Sequence, residues 1–434
     1  MIQRALLGLR KRVYSNTLQQ QTKQCYNGTN AAAAVGDSAK EPMFLGIEST
    51  FTNKLTFINK ENYDPLPIFK VLDSLEGVQV PEEYKLDKQI LIRMYRKMVT
   101  LNIMDKILYE SQRQGRISFY MTNDGEEAIQ MGSAAALTLD DIVYAQYREA
   151  GVLLWRGFSV SDFMNQCYGN HKDTAKGRQM PVHYGSKRLN FVTISSPLTT
   201  QLPQAVGTAY ALKRFGKKVC VICYFGEGAA SEGDFHAAFN FAATLECPIV
   251  FVCRNNGYAI STPSFQQFKG DGIAARGPAY GIRTTRVDGN DVFAMYHATR
   301  AARDFCIKEG KPVLIEAMTY RIGHHSTSDD STAYRSTNEI SRWRHKTPTA
   351  RLRSYLESVD LWCEQREQEL NKTMKKTVLL AFADAEKELK PSWKELFTDV
   401  YNTMPKHIRK QMSSMEQHVT EFHDCYPLHS FKTT

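Results

Sequence analysis

Gly226-Glu227-Gly228 and Asn255-Asn256 stand 26 residues apart, with a run of small and aromatic residues between them. A carboxylate held between two glycines and a pair of side-chain amides offer oxygen donors. Oxygen is what magnesium takes, in an octahedron that phosphate groups and water often complete. Glu227, Asn256 and a backbone carbonyl just beyond Asn256 are therefore candidate ligands for a metal-bound diphosphate. The helix expected from about Glu232 would turn its N-terminal dipole toward that anion. No nucleophilic side chain is required, because a diphosphate cofactor would itself carry the chemistry. A nicotinamide dehydrogenase fits poorly. GEGAAS lacks the third glycine of GxGxxG, and the second strand ends in Asn-Asn rather than an acid.

Other polar groups admit two readings each. Tyr147-Arg148-Glu149 follows a short strand, Ile142 to Gln146, and an exposed arginine there is expected to make a surface ion pair, with an anion site as the alternative. The hydroxyls of Ser195-Ser196-Pro197-Leu198-Thr199-Thr200-Gln201 can cap a helix from Pro203 to Arg214 or cage a monovalent cation, and capping is the simpler reading. His324 and His325 lie in a long polar loop, where a histidine is more often a surface group than a catalytic one. Cys220 and Cys223 fall inside an apolar run and read as core rather than as a redox or zinc pair.

These groups need a scaffold. The continuous apolar runs Val219 to Phe225 and Ile249 to Cys253 read as fully buried strands. Between them a helix of about Glu232 to Leu245 places Phe235, Phe239 and Ala242 on one face, with Ala238 and Leu245 beside them. Further strands are expected at Phe191 to Ile194, Ile282 to Val287 and Val313 to Thr319. Lys269 to Tyr280 reads as a loop, and Asp288 to Asp291 as a turn that caps a helix reaching about Glu309. The alternation over residues 140–320 implies an α/β protein with a doubly wound parallel sheet, whose ligands sit at the strand C-termini.

Before this region, an amphipathic helix from Asp87 to Gln112 is capped by Asp87 and ended by Gly115. A turn at Asn123-Asp124-Gly125 and a small-residue helix, Glu126 to Leu137, follow it. Strand-like pieces at Leu55 to Ile58 and Ile68 to Leu72 read as an extended arm. The organisation expected is a leader and linker (1–40), the arm (41–86), the α/β domain (87–345) and a charged helical extension (346–434), with helices near Glu364 to Leu389 and Met404 to Phe422.

The chain has 434 residues, 42% hydrophobic and 23% charged, ordinary values for a globular protein. No run approaches the roughly eighteen apolar residues of a membrane span. The net charge of +9 owes +5 to Arg4, Arg10, Lys11, Arg12 and Lys23, ahead of the first acid, Asp37. What remains is no nucleic-acid signature. The basic, acid-free, amphipathic start fits a mitochondrial targeting peptide. Nine cysteines, an odd number, suit reduced thiols inside a cell.

The Gly-acid-Gly and Asn-Asn pair resembles the thiamine-diphosphate motif, usually written GDG, a comparable gap, then NN; here glutamate replaces aspartate. The segments YREAGVL, GRQMPVHYG, TISSPLTTQ, GEGAASEGDFHAAFNFAATLECPIVFVCRNNGYAIST and YRIGHHSTSDDSTAYRS extend the likeness. Over residues 44–434 the chain resembles the α subunits of the branched-chain 2-oxoacid dehydrogenases. Asp124 and Arg283-Thr284 depart from the family pattern.

The resemblance implies a thiamine-diphosphate-binding fold and decarboxylation of branched-chain 2-oxo acids such as 3-methyl-2-oxobutanoate. The acyl group would pass to the lipoyl arm of an acyltransferase core, in branched-chain amino-acid catabolism in the mitochondrial matrix. It implies magnesium on Glu227, Asn256 and the carbonyl of Tyr258. Gln146, Tyr147, Arg148, Ser196, Leu198, Gly228, Ala229, Arg254 and His325 would line the cofactor, and His325 would also orient intermediates and donate a proton. Ser195, Pro197, Thr200 and Gln201 match a potassium site, which raises the cage reading above capping. Ser326 and Ser336 match phosphorylation sites served by a kinase and a phosphatase. A β subunit, in a heterotetramer of two α and two β chains, would supply the glutamate that activates the cofactor, so this chain alone is expected to be inactive. The alternatives are the pyruvate-specific relative and a non-catalytic paralogue that binds the β subunit or the kinase.

Overall fold

A computed structural model describes residues 52–72 and 79–433. The leader and linker expected over residues 1–40, and the start of the expected arm, lie outside the described residues. The described residues fall into two units, divided between Asn62 and Tyr63. Of the first, residues 52–62 hold one 3-10 turn, Lys60–Asn62. The strand expected at Leu55 to Ile58 does not form. Leu55 and Phe57 are exposed and pair with no strand among the described residues.

The second unit is built on a sheet of six strands among the described residues: β1 (Ile68–Phe69), β2 (Ile142–Tyr144), β3 (Val221–Gly226), β4 (Ile249–Asn255), β5 (Arg283–Asp288) and β6 (Val313–Met318). The order across the sheet is β1-β5-β6-β4-β3-β2 and every pairing is parallel. The helices are α1 (Lys88–Arg113), α2 (Glu127–Ala136), α3 (Ala150–Trp155), α4 (Val160–Tyr168), α5 (Gln201–Arg214), α6 (Gly233–Thr244) and α7 (Val292–Glu309). A tail carries α8 (Thr337–Arg344), α9 (Pro348–Ser358), α10 (Glu364–Lys387) and α11 (Lys406–Glu421).

Apolar runs rather than alternating ones form the central strands because both sheet faces are covered. Ile222 and Tyr224 of β3 join one core with Met131 of α2 and Phe293 and Met295 of α7. Val221, Cys223 and Phe225 face the other way, into a core with Ala205 and Ala209 of α5 and Phe235 and Phe239 of α6. With successive side chains on opposite faces, a strand sandwiched between helix layers must be apolar at every position. Cys220 and Cys223 sit fully buried in these cores. All eight described cysteines are free thiols.

Helix boundaries follow local chemistry. The Asp87 carboxylate caps α1 by accepting from the N–H groups of Gln89 and Ile90, and Asp291 caps α7 by accepting from Phe293 and Ala294. Gly115, at φ +73°, turns the chain away after α1.

Several expectations need correction. The strand expected at Phe191 to Ile194 reduces to single pairings of Phe191, because Ile194 bonds to the Tyr184 carbonyl instead of continuing the sheet. The strand expected to reach Gln146 ends at Tyr144, since Gln146 gives its N–H to the Glu149 carboxylate, 2.9 Å away. The loop Lys269 to Tyr280 contains one helical turn, Arg276–Ala279. Leu245 does not join the buried face of α6; it lies just past the helix end and is exposed.

Candidate active site at the C-terminal edge of the sheet

Parallel strands bring their C-terminal ends to one edge, and four of them deliver the candidate residues there. After β2 come Gln146, Tyr147 and Arg148; after β3, Glu227, Gly228 and Ala229; after β4, Asn256 and Tyr258; after β6, Arg321 and His325. They surround a cavity of about 440 Å³, within the roughly 300–1,000 Å³ of ligand pockets. All nine residues expected to line a cofactor, and the three expected to hold magnesium, lie on its wall.

Local geometry explains the motif. The N–H of Gly226 donates to Oε1 of Gln146 at 2.7 Å, which ties the ends of β2 and β3 together. Gly228 has no room for a side chain, because a Cβ there would stand 2.6 Å from the Cβ of Ala259. A one-turn 3-10 helix, Ala229–Ser231, then leads into α6.

Glu227 is 1% exposed, and its Oε1 has no hydrogen-bond donor. Burial, with the nearby charge of Glu126, pushes its carboxyl up to about 7. Its other oxygen is 3.4 Å from the N–H of Asn256. An orphaned buried carboxylate oxygen is costly unless a cation meets it, and Asn256 and Tyr258 share the same wall. This donor set fits a hard divalent ion held only partly by protein oxygens.

The cationic side is equally unbalanced. Arg254 is fully paired, through Nε to Glu149 and through Nη1 to Glu126 at 2.6 Å. Arg148 is 2% exposed, so the surface ion pair expected for it does not exist. Its guanidinium donates to the carbonyls of Thr122 and His325, and its nearest carboxylate, Glu126, is 4.0 Å away. Arg321 donates to the Ile260 carbonyl and the Tyr334 hydroxyl, and its buried Nε has no partner. Two guanidiniums without a close carboxylate beside one cavity are suited to an anion.

His325 stands between them, with Nδ1 3.3 Å from Arg148 and 3.4 Å from Arg321. Arginine only donates, so Nδ1 accepts and the ring proton is on Nε2. Burial, then the charges of Arg148 and Arg321, lower its pKa to about 3. The imidazole is thus a neutral Nε2–H donor rather than a group that titrates near neutrality.

The potassium candidates are off the cavity wall but beside it, since Ser196 and Leu198 between them do line it. Thr200 Oγ1 is 3.1 Å from the Pro197 carbonyl and 3.4 Å from Ser195 Oγ, and the buried Oε1 of Gln201 has no donor. Capping fails as an explanation: α5 starts at Gln201, and its N-cap, Thr200, makes no side-chain cap bond. Ser326 accepts from the N–H of Ser328 at 3.3 Å. Ser336 is exposed and caps α8 through the Glu339 N–H.

Sequence reasoning missed Glu126, Glu149, Arg321 and His183. Glu149, His183 and Arg321 fell inside recognised segments, but nothing in their spacing assigned them partners. Glu126 reaches Arg254 and Asn256 across about 130 residues of chain, a relation without local signal. His183 hydrogen-bonds through Nε2 to the Ser196 hydroxyl, and its Nδ1 is 3.0 Å from the Pro181 carbonyl.

A parallel α/β sheet with an unpartnered buried carboxylate oxygen and guanidiniums at its C-terminal edge has the form of an α/β site for an anionic cofactor. The model of the family described as "Dehydrogenase E1 component" matches residues 95–394, and the chain belongs to that family. Curated relatives span nearly the whole chain. The mitochondrial 2-oxoisovalerate dehydrogenase subunit alpha of Mus musculus is 57% identical over 90% of this chain and 89% of its own length. The Homo sapiens protein of that name is 57% identical over 90% and 88%. The subunit alpha 2 of Arabidopsis thaliana is 50% identical over 88% and 82%.

Proposed function

We propose that this chain is the α subunit of a mitochondrial branched-chain 2-oxoacid dehydrogenase. In this reading it holds thiamine diphosphate for the decarboxylation of 3-methyl-2-oxobutanoate and its homologues, with transfer of the acyl group to a lipoyl arm. The observation that carries the proposal is the convergence of the twelve expected ligands on one cavity in a chain that is 57% identical to named 2-oxoisovalerate dehydrogenase α subunits.

Thiamine diphosphate, when bound, supplies the electron sink for loss of carbon dioxide from a 2-oxo acid. This chain's part is to grip and orient. Glu227, Asn256 and the Tyr258 carbonyl would hold magnesium, with Glu227 in its ionised form as a ligand. Gln146, Tyr147, Arg148, Ser196, Leu198, Gly228, Ala229 and Arg254 line the cofactor. Arg148 and Arg321 attract its anionic groups. His325 donates a hydrogen bond from Nε2, and an anion placed between the two arginines raises its basicity toward the range useful for proton transfer. Ser195, Pro197, Thr200 and Gln201 would hold potassium beside the loop that carries Ser196 and Leu198.

A β subunit completes the active site, in a heterotetramer with two copies of each chain, and the acyltransferase core receives the product. A kinase and a phosphatase act on Ser326 and Ser336. A phosphate on Ser326, adjacent to His325, places negative charge beside the diphosphate site. The organisation that goes with this reading is a leader through residue 40, an arm to 86, the cofactor domain to 345 and the helical extension beyond.

The deciding experiment is decarboxylation by the chain assembled with its β subunit, with 3-methyl-2-oxobutanoate and pyruvate in competition. Preference for the branched acid is expected, and preference for pyruvate would reject the assignment.

A further inference from the structure

Along α1, Gln89, Arg93, Arg96, Lys97 and Thr100 recur at spacings of three and four, so they share one face of the helix. That face borders a second cavity of about 400 Å³, close in volume to the cofactor cavity. Leu154, Phe158 and Met374 contribute an apolar wall, and no lining residue is acidic.

Three like charges so close repel one another. Some long cations of this protein meet carboxylates, as Arg116 does on Glu386 and Lys176 on Asp399. Here Arg93 donates to the Trp155 carbonyl at 2.8 Å and lies over the Trp155 ring. Neither the guanidinium of Arg96 nor the ammonium of Lys97 makes a hydrogen bond or ion pair with a described residue. Glu369 borders only the adjoining cavity, which Arg96 also lines. Burial, then Arg93 and Arg96, holds the Lys97 ammonium below its usual range; the cluster lacks a counter-charge. Ser159 also lines the cavity. Its oxygen accepts from the Asp162 N–H, which leaves its hydroxyl proton free to donate.

We propose that this cavity is a second binding site, for a small organic anion with a carboxylate or phosphate head on an aliphatic body. The head meets Arg93, Arg96 and Lys97; the body lies on Leu154, Phe158 and Met374. An anion bound there supplies the missing charge, and the apolar wall distinguishes it from a bare ion.

The test is calorimetric titration of the assembled protein, saturated with thiamine diphosphate and magnesium, with hexanoate and with hexyl phosphate. Saturable binding of at least one is expected, and the tighter of the two identifies the head group. Inorganic phosphate and 1-hexanol should each bind at least tenfold more weakly. Arg96→Gln and Lys97→Met should each weaken binding at least fivefold, with cofactor affinity unchanged as the check that the fold is intact. Absence of saturable binding overturns the proposal, as does binding that both variants leave unchanged. Inorganic phosphate binding as tightly as hexyl phosphate refutes the role of the apolar wall. Because the variants lie outside the cofactor cavity, failure here is separable from failure of the dehydrogenase reading.

Discussion

Around Arg254, a guanidinium and the carboxylates of Glu126 and Glu149 are almost completely removed from water. Where Arg116 follows α1, the same two kinds of group meet Glu386 of α10 with more than a third of each side chain exposed. The contacts are equally short, but their consequences differ. In water, desolvation is small and salt screens the attraction, so an exposed pair contributes little. Inside the protein the attraction is large, but so is the cost of desolvation, and each partner becomes indispensable to the other. The interior near the cofactor cavity therefore uses ion pairs to hold a geometry, whereas the tail uses them as a soluble coat.

The strongest challenge to this contrast is Arg254→Met. It leaves Glu149 buried without its cation and Glu126 with only Arg148, 4.0 Å away, and should cost about 3–5 kcal/mol, read as a lowered urea midpoint. A midpoint within experimental error of the parent's would show that water already reaches these carboxylates.

Glu227→Gln asks whether a buried carboxylate is kept for a ligand rather than for the fold. Magnesium-dependent binding of thiamine diphosphate should weaken about 100-fold, or roughly 2.7 kcal/mol. Stability without metal should be unchanged, or higher above pH 7, because the buried charge is gone. Equal loss of stability and of binding would assign Glu227 a structural role.

Asp105 extends the comparison to a carboxylate with no cation. It is buried under the Tyr120 hydroxyl and the Asn123 amide, and burial raises its pKa to about 7 from an ordinary value near 3.8. A raised carboxyl pKa means that the folded state binds this proton more tightly. Its contribution to stability is complete below pH 3.8 and is lost as pH rises through about 7. Urea midpoints at pH 5.5 and 8 should differ less in Asp105→Asn than in the parent. An identical pH dependence in the two proteins would contradict the assignment.

The smallest effect is expected at the surface. Arg116→Gln should change stability by no more than about 1 kcal/mol, and by less at high salt, as thermal melts in dilute and concentrated sodium chloride would record. A large, salt-independent loss would erase the distinction between coat and core.

Much of the fold was legible because its signals are short-range. The apolar run at β3, the cap at Asp87 and the turn at Gly115 each express constraints that act within a few residues. Phe191 to Ile194 misled for the same reason: its composition suits a strand, but strand pairing requires a neighbour with free backbone groups, and Tyr184 captured Ile194 instead. Arg148 misled more instructively. An arginine at a strand end is ordinarily solvated, and only the arrival of Thr122 and His325 from distant parts of the chain encloses it.

The amino-acid sequence by itself determined the strand-helix-strand unit, the oxygen donors at Glu227 and Asn256, and the segments that align with the family. Tertiary structure decided their charge states. It set Glu126 against Arg254 and Asn256, left one oxygen of Glu227 without a donor, and made His325 neutral between two guanidiniums. The reason is physical: periodicity and propensity are local, whereas desolvation and electrostatic attraction depend on whichever residues the folded chain brings within a few ångströms.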